Sequence, residues 1–138
     1  MQGIRIIGAK MLKIYGLLCL CACALLAEGQ LSHIMQNMEY AMNLMEKGFL
    51  YNKQEWINEG LEEFKILSGE LKRIDANTYL SISQRRDINV VGGIVNRNEE
   101  YIGLLERFLK DGDMIKSADV YGRILSGCVS CHAISRGW

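Results

Sequence analysis

The sequence contains no proline. Proline interrupts a helix because it lacks a backbone N–H donor and because its ring clashes with the preceding turn. Nothing of that kind breaks a helix in this chain, so Gly, Asn and Asp must mark the loops instead. Histidine is also scarce, with only two in 138 residues. That scarcity disfavours any site that needs several imidazole ligands.

The first 27 residues have the layout of a signal peptide. Basic residues precede an uncharged, apolar run over residues 14–26, which is too short to span a bilayer comfortably. The basic residues are Arg5, Lys10 and Lys13. We expect cleavage after Ala27, which divides the chain into a signal peptide (1–27) and one periplasmic domain (28–138). An uncleaved membrane anchor is the alternative.

Three of the five cysteines, Cys19, Cys21 and Cys23, fall inside the predicted signal peptide. Residues 20–23 (LCAC) also resemble a bacterial lipobox, which would leave a lipid-anchored Cys23 at the mature N-terminus. The predicted mature chain otherwise keeps only Cys128 and Cys131, so no structural disulfide is expected.

The predicted mature chain is mildly acidic. Removal of three basic residues leaves thirteen Lys and Arg against sixteen Asp and Glu, a net charge of about −3. A nucleic-acid partner would require a basic face, so the charge argues against that class.

A CxxCH motif over residues 128–132 is the most informative feature of the chain. This motif is the attachment signature of c-type haem. Cys128 and Cys131 can each form a thioether with one haem vinyl group, and His132 can then serve as an axial iron ligand. A zinc site would need about four N or S ligands, and the only other histidine is His33. A thioredoxin-like CxxC needs a βαβ context, and nothing in the sequence predicts a sheet.

Apolar residues recur with helical periodicity in four segments of the predicted mature chain. We predict helices over about 31–49, 54–74, 84–110 and from 113 onward. The short connections between the first pair and between the last pair of helices favour antiparallel neighbours. The predicted fold is therefore all-α, an antiparallel up-down-up-down four-helix bundle with haem attached near the C-terminal end of the last helix.

Two glycines, Gly92 and Gly93, lie in the middle of the third predicted helix, where each costs about 1 kcal/mol of helix propensity. Close packing of this helix against another helix or a haem edge would explain them, and a local kink is the alternative.

A four-helix bundle with CxxCH near the end of its last helix resembles the cytochrome c′ and cytochrome c556 family, which is related in fold to cytochrome b562. In this family an aromatic and then a basic residue follow the motif. Arg136 falls on the basic position, whereas Ser135 replaces the aromatic, so the chain resembles a diverged member.

The resemblance implies that the first helix supplies the distal side of the iron. Candidates there are Leu31, His33, Met35 and Met38. Alignment with cytochrome b562 favours Met35, whereas alignment with cytochrome c′ favours Leu31. Helical spacing turns His33 away from both positions. Met42 and Met45 share the same seam, and we expect them to be core residues.

The motif predicts one covalent haem c. No enzymatic activity is expected, because nothing in the sequence resembles a set of catalytic acids, bases and orienting groups. We expect an exported electron-transfer protein that docks with redox partner proteins, and an acidic chain suits a basic partner. A five-coordinate haem that binds NO or CO is the alternative. Homodimers occur in the family, and an apolar patch on the first two helices is the expected interface.

Overall fold

The computed structural model describes residues 29–137, and these are entirely helical and turn structure without a strand. The helices are α1 (29–51), α2 (Gln54–Arg73), α3 (Ile88–Lys110) and α4 (Met114–Arg136). The predicted all-α fold class with four long helices is confirmed. The predicted signal peptide, its cleavage point and the lipobox at Cys23 lie outside the described residues. No helix in the described part of the chain is long and apolar enough to cross a membrane.

The helix boundaries agree closely with the predicted ones except at the start of α3. This helix begins at Ile88, four residues later than predicted, because the preceding residues form 3-10 turns at Ala76–Thr78 and Arg85–Asp87. The side chain of Asp75 caps the first turn by accepting from the backbone N–H of Asn77 at 2.9 Å. Local hydrogen bonds of this kind favour a turn over a helix.

Short polar connections end and restart the other helices. Asn52 follows α1 with a φ of 54°, and Gly112 lies between α3 and α4 with a φ of 73°. Both angles fall in the left-handed region, which Gly and Asn tolerate best. Asp113 then caps α4, because its carboxylate accepts from the backbone N–H of Lys116 at 3.1 Å.

The apolar faces of the helices meet in one core. Phe64, Met45 and Leu105 are fully buried there, and Ile124 of α4 joins them. Burial of each such side chain stabilises the fold by about 1.5–3 kcal/mol.

Helices α1 and α2 approach closely at two glycines. A Cβ on Gly60 would lie 2.6 Å from the Ala41 carbonyl oxygen and 2.8 Å from Cγ of Met45. A Cβ on Gly48 would lie 2.8 Å from the backbone nitrogen of Ile57. Contacts this short do not occur, so glycine is required at both positions for this packing.

Two surface ion pairs join α2 to α3. Lys65 pairs with Glu106, and Lys72 pairs with Glu99 at 2.6 Å. From Lys65 to Lys72 the sequence advances along α2, whereas their partners on α3 run backwards from Glu106 to Glu99. Exposed pairs such as these contribute little to stability, so they follow from the packing more than they cause it.

The structure does not support close packing against another helix as the reason for Gly92 and Gly93. Both are exposed, and a Cβ on either one would have no protein atom within 4 Å. Nothing among residues 29–137 therefore requires glycine at these two positions.

Candidate haem site

All four helices contribute to one cavity of about 290 Å³. The lining is mostly apolar and includes Phe64 and Leu71 from α2 and Ile94 and Val95 from α3. Cavities that bind small molecules or cofactors are typically apolar with a few polar groups and measure about 300–1,000 Å³. The cavity is thus a candidate cofactor site with a volume just below that range.

The two cysteines and the histidine of the CxxCH motif all line this cavity. Cys128, Cys131 and His132 lie in the last turns of α4, and each is half-buried. Their proximity follows from helix geometry, because residues three and four apart lie on one face. Sequence spacing could predict that common face, but only the fold shows that the face is turned to a cavity.

The two thiols are not activated for redox chemistry. Burial, and then the neighbouring Cys131, raise the pKa of Cys128 to about 11. Burial also raises the pKa of Cys131. Catalytic CxxC thiols have lowered pKa values instead, so the motif lacks the electrostatics of a thioredoxin-like site.

The environment of His132 favours a neutral imidazole. Burial lowers the pKa of His132, and the positive charge of Arg136 lowers it further. Neutral imidazole is the form that binds a metal ion. Arg136 itself is exposed at the last position of α4, one turn beyond His132, and does not line the cavity.

Three methionines of α1 line the cavity. Met38 and Met42 are buried, and Met35 is half-buried. Met42 belongs to the core, as expected, and it also contributes to the cavity lining. Met45 is fully buried and is absent from the lining. Both Met35 and Met38, the predicted methionine candidates, therefore reach the same cavity as His132.

The other histidine lies on the outside of α1, as predicted. His33 is exposed, and its ring nitrogen Nδ1 lies 3.2 Å from the Asn37 side-chain nitrogen. The structure does not bring His33 to the cavity lining.

Tyr121 connects α4 to α1 beside the cavity. Its hydroxyl donates to the Met42 carbonyl oxygen at 3.2 Å, and its ring centroid lies 5.6 Å from that of Phe49. Burial, followed by the charge of Glu46, raises the pKa of Tyr121 to about 12. The phenol therefore stays protonated and keeps donating across the physiological range.

A buried amide packs against the CxxCH turn. Asn98 of α3 is only 8 % exposed and lines the cavity. Its Nδ2 donates to the Ile124 carbonyl oxygen at 3.4 Å and lies 4.0 Å from Cys128 Sγ. Its Oδ1 is the one buried side-chain polar atom among residues 29–137 that lacks a partner. A Cβ on Gly127 would lie 2.8 Å from both Cγ and Nδ2 of Asn98, so glycine leaves the space that the amide fills.

Sequence reasoning did not identify Asn98 or Ser68 as site residues. Both interrupt otherwise apolar seams, and the structure buries both in the cavity wall. A polar residue at a core position of an amphipathic helix is the signal that could have indicated them.

The charged groups in the cavity lining are acidic. Glu39 and Glu46 of α1 line it, and within the described chain no lysine or arginine does. Nor does the described chain contain a group of three or more His, Cys, Asp or Glu placed to hold a metal ion.

Comparison of the chain with models of protein families, with curated proteins and with solved structures found no match.

Proposed function

We propose that this chain is an exported c-type cytochrome that carries one covalent haem c and transfers electrons. The observation that carries the proposal is the convergence of Cys128, Cys131 and His132 on one largely apolar cavity inside a helical fold. Bound haem would supply one-electron exchange at its iron. Cys128 and Cys131 would hold it by thioethers, and His132 would provide the axial nitrogen.

The apolar cavity lining suits the flat, largely apolar ring of a haem. Leu125 and Val129 of α4 line the cavity and yet are 45 % and 48 % exposed. Large apolar side chains at a cavity mouth are stabilised by a ligand that covers them. A haem attached to the neighbouring Cys128 would shield both.

The proposal includes an antiparallel bundle of the cytochrome c′ and c556 type. The descending partner numbers in the Lys65–Glu106 and Lys72–Glu99 pairs support an antiparallel α2 and α3. The two-residue connection before α2 and the three-residue connection before α4 support the same arrangement for their helix pairs.

Met35 is the proposed distal ligand. The hydrogen bond from Tyr121 to Met42 places these two residues at the same height along α4 and α1. If α1 and α4 are antiparallel, progress along α4 from Tyr121 to His132 corresponds to lower numbers on α1. Met35 is the cavity-lining methionine furthest in that direction, so it comes nearest to the level of His132.

Redox partner proteins are the proposed partners, and no nucleic acid or catalytic role is proposed. A homodimer through α1 and α2 is also proposed, because Tyr40, Leu50 and Ile66 on these helices are 65 %, 74 % and 57 % exposed.

The test of the proposed function is covalent haem attachment. The full chain is produced in a bacterium that has a c-type cytochrome maturation system, and the protein is extracted with acidified acetone. We expect the haem to stay with the wild-type protein and to be lost from the Cys128→Ala/Cys131→Ala double variant. Haem that is extracted from the wild type, or retained by the double variant, would contradict attachment at this motif.

The optical spectrum of the reduced protein separates the two ligation states. Sharp α and β bands would support six-coordinate, electron-transferring iron. A broad band with rapid CO binding would contradict Met35 ligation and favour the five-coordinate, gas-binding alternative with Leu31 on the distal side.

A further inference from the structure

We propose that Asn98 is the hydrogen-bond partner of His132, and that its Oδ1 accepts from the imidazole N–H that does not face the iron. This inference rests on the proposed function. It makes Asn98 a positioning residue that tunes the reduction potential through His132.

The unpartnered state of Asn98 Oδ1 carries the inference. An unpaired buried acceptor is destabilising, so a buried amide is expected to have a donor in its functional state. The orientation of this amide is set by chemistry. Its nitrogen must face the Ile124 carbonyl oxygen, because two carbonyl oxygens cannot pair, and Oδ1 then lies against Gly127, to whose Cβ position it is the nearest atom.

His132 requires such an acceptor. When one ring nitrogen binds a metal ion, the other carries a proton and almost always donates it to a carboxylate, a carbonyl oxygen or water. The carboxylates of Glu39 and Glu46 lie on α1 at the same cavity. The amide of Asn98 is instead in contact with the turn of α4 that carries the motif.

The positions of the two side chains favour their meeting. Asn98 Nδ2 lies 4.0 Å from Cys128 Sγ, and His132 is one helical turn beyond Cys128 on the same face. Side chains lean toward the N-terminus of their own helix, which brings the His132 ring back toward Cys128. Gly127 leaves the amide the space to sit against this turn.

A hydrogen bond of this kind makes the imidazole a stronger donor to iron and therefore favours the ferric state. Asn98→Leu removes the acceptor and keeps a side chain branched at the same carbon, so we expect the ferric-to-ferrous ratio at a fixed solution potential to fall below that of wild type. Asn98→Asp supplies a stronger acceptor and should raise the same ratio.

The experiment measures this ratio by redox titration of haem-loaded wild type, Asn98→Leu, Asn98→Asp and Ser117→Ala. Ser117 is a matched control, because it is fully buried and polar but bonds to the Asp113 carbonyl oxygen away from the cavity. We expect opposite shifts in the two Asn98 variants and none in Ser117→Ala. Unchanged ratios in both Asn98 variants, with thioethers and histidine ligation intact, would overturn the inference.

A second measurement needs no variant. In the ferrous wild-type protein, saturated with carbon monoxide if it is high-spin, the free ring N–H of His132 is observed by NMR. We expect slow exchange with solvent and a cross-relaxation contact to the Asn98 side chain. Rapid exchange, or a contact to Glu39 or Glu46 instead, would overturn the inference. Absence of thioether-bound haem in the wild type would instead contradict the proposed function.

Discussion

The side chain of Asn98 occupies the space that a side chain at Gly127 would need. A Cβ added to Gly127 would lie 2.8 Å from both Cγ and Nδ2 of the amide. The pair joins α3 to α4 immediately before Cys128, so the packing of the two helices and the placement of the CxxCH turn depend on the same contact.

Gly127→Ala is therefore expected to destabilise the protein. The new methyl group must displace a buried amide, and overpacking of this kind costs about 1–3 kcal/mol. Urea denaturation of the haem-loaded protein measures the effect. Gly122→Ala on the same helix is the control, because its position is open and alanine has the higher helix propensity. Equal stability of Gly127→Ala and wild type would show that the amide can move away at no cost.

Gly92→Ala and Gly93→Ala are expected to stabilise the protein by about 1 kcal/mol each. Both positions are exposed and open, so alanine gains helix propensity without a clash. Gly60→Ala is the opposite case, because its Cβ would lie 2.6 Å from the Ala41 carbonyl oxygen. Thermal unfolding of the three variants should place Gly60→Ala below wild type and the other two above it. A loss of stability in either α3 variant would indicate that a bound group needs the open surface.

His132→Ala is expected to keep the thioethers but lose axial histidine ligation. The optical spectrum of the variant should then change, whereas His33→Ala should keep the wild-type spectrum because His33 is exposed on the outside of α1. An unchanged spectrum in His132→Ala would mean that another residue holds the iron.

Met35→Leu is expected to lower the reduction potential and to open a site for CO or NO. A thioether ligand favours ferrous iron, and Met→Leu usually costs under about 1.5 kcal/mol in a core, so the fold should survive. Met45→Leu is the matched control, because Met45 is fully buried and does not line the cavity. If Met38→Leu binds CO and Met35→Leu keeps the wild-type properties, the distal ligand is Met38, one turn further along α1.

The N-cap of α4 should give the protein a pH-dependent stability. The hydrogen bond from the Lys116 side chain, followed by that from its backbone N–H, lowers the pKa of Asp113. A carboxyl group with a lowered pKa in the folded state stabilises that state above its unfolded pKa of about 3.9, and the contribution is lost as pH falls through the folded value. Asp113→Asn keeps a capping side chain but removes the charge. Its melting temperature should be below that of wild type at pH 7 and should approach it in acid. A difference that does not depend on pH would show that the charge contributes nothing.

The four helices could be predicted from the sequence because helix formation depends on patterns among neighbouring residues. Apolar residues at helical spacing, the polar loops and the absence of proline are all properties of neighbouring residues. The start of α3 was predicted too early, because the hydrogen bonds of the 3-10 turn over Arg85–Asp87 compete locally with a helix. Packing of Gly92 and Gly93 against another helix could not be judged from the sequence, because propensity alone does not indicate what lies opposite a residue.

By itself, the sequence placed Cys128, Cys131 and His132 on one helical face, since their spacing and the helical period determine it. The tertiary structure alone decided what that face meets. The rotation and height of α1 and α3 against α4 bring Met42 to the cavity and Asn98 to Gly127. The rotation and the height of a helix are set by the simultaneous packing of many side chains from several helices across the core. No stretch of sequence encodes them locally, so these contacts become visible only in the folded chain.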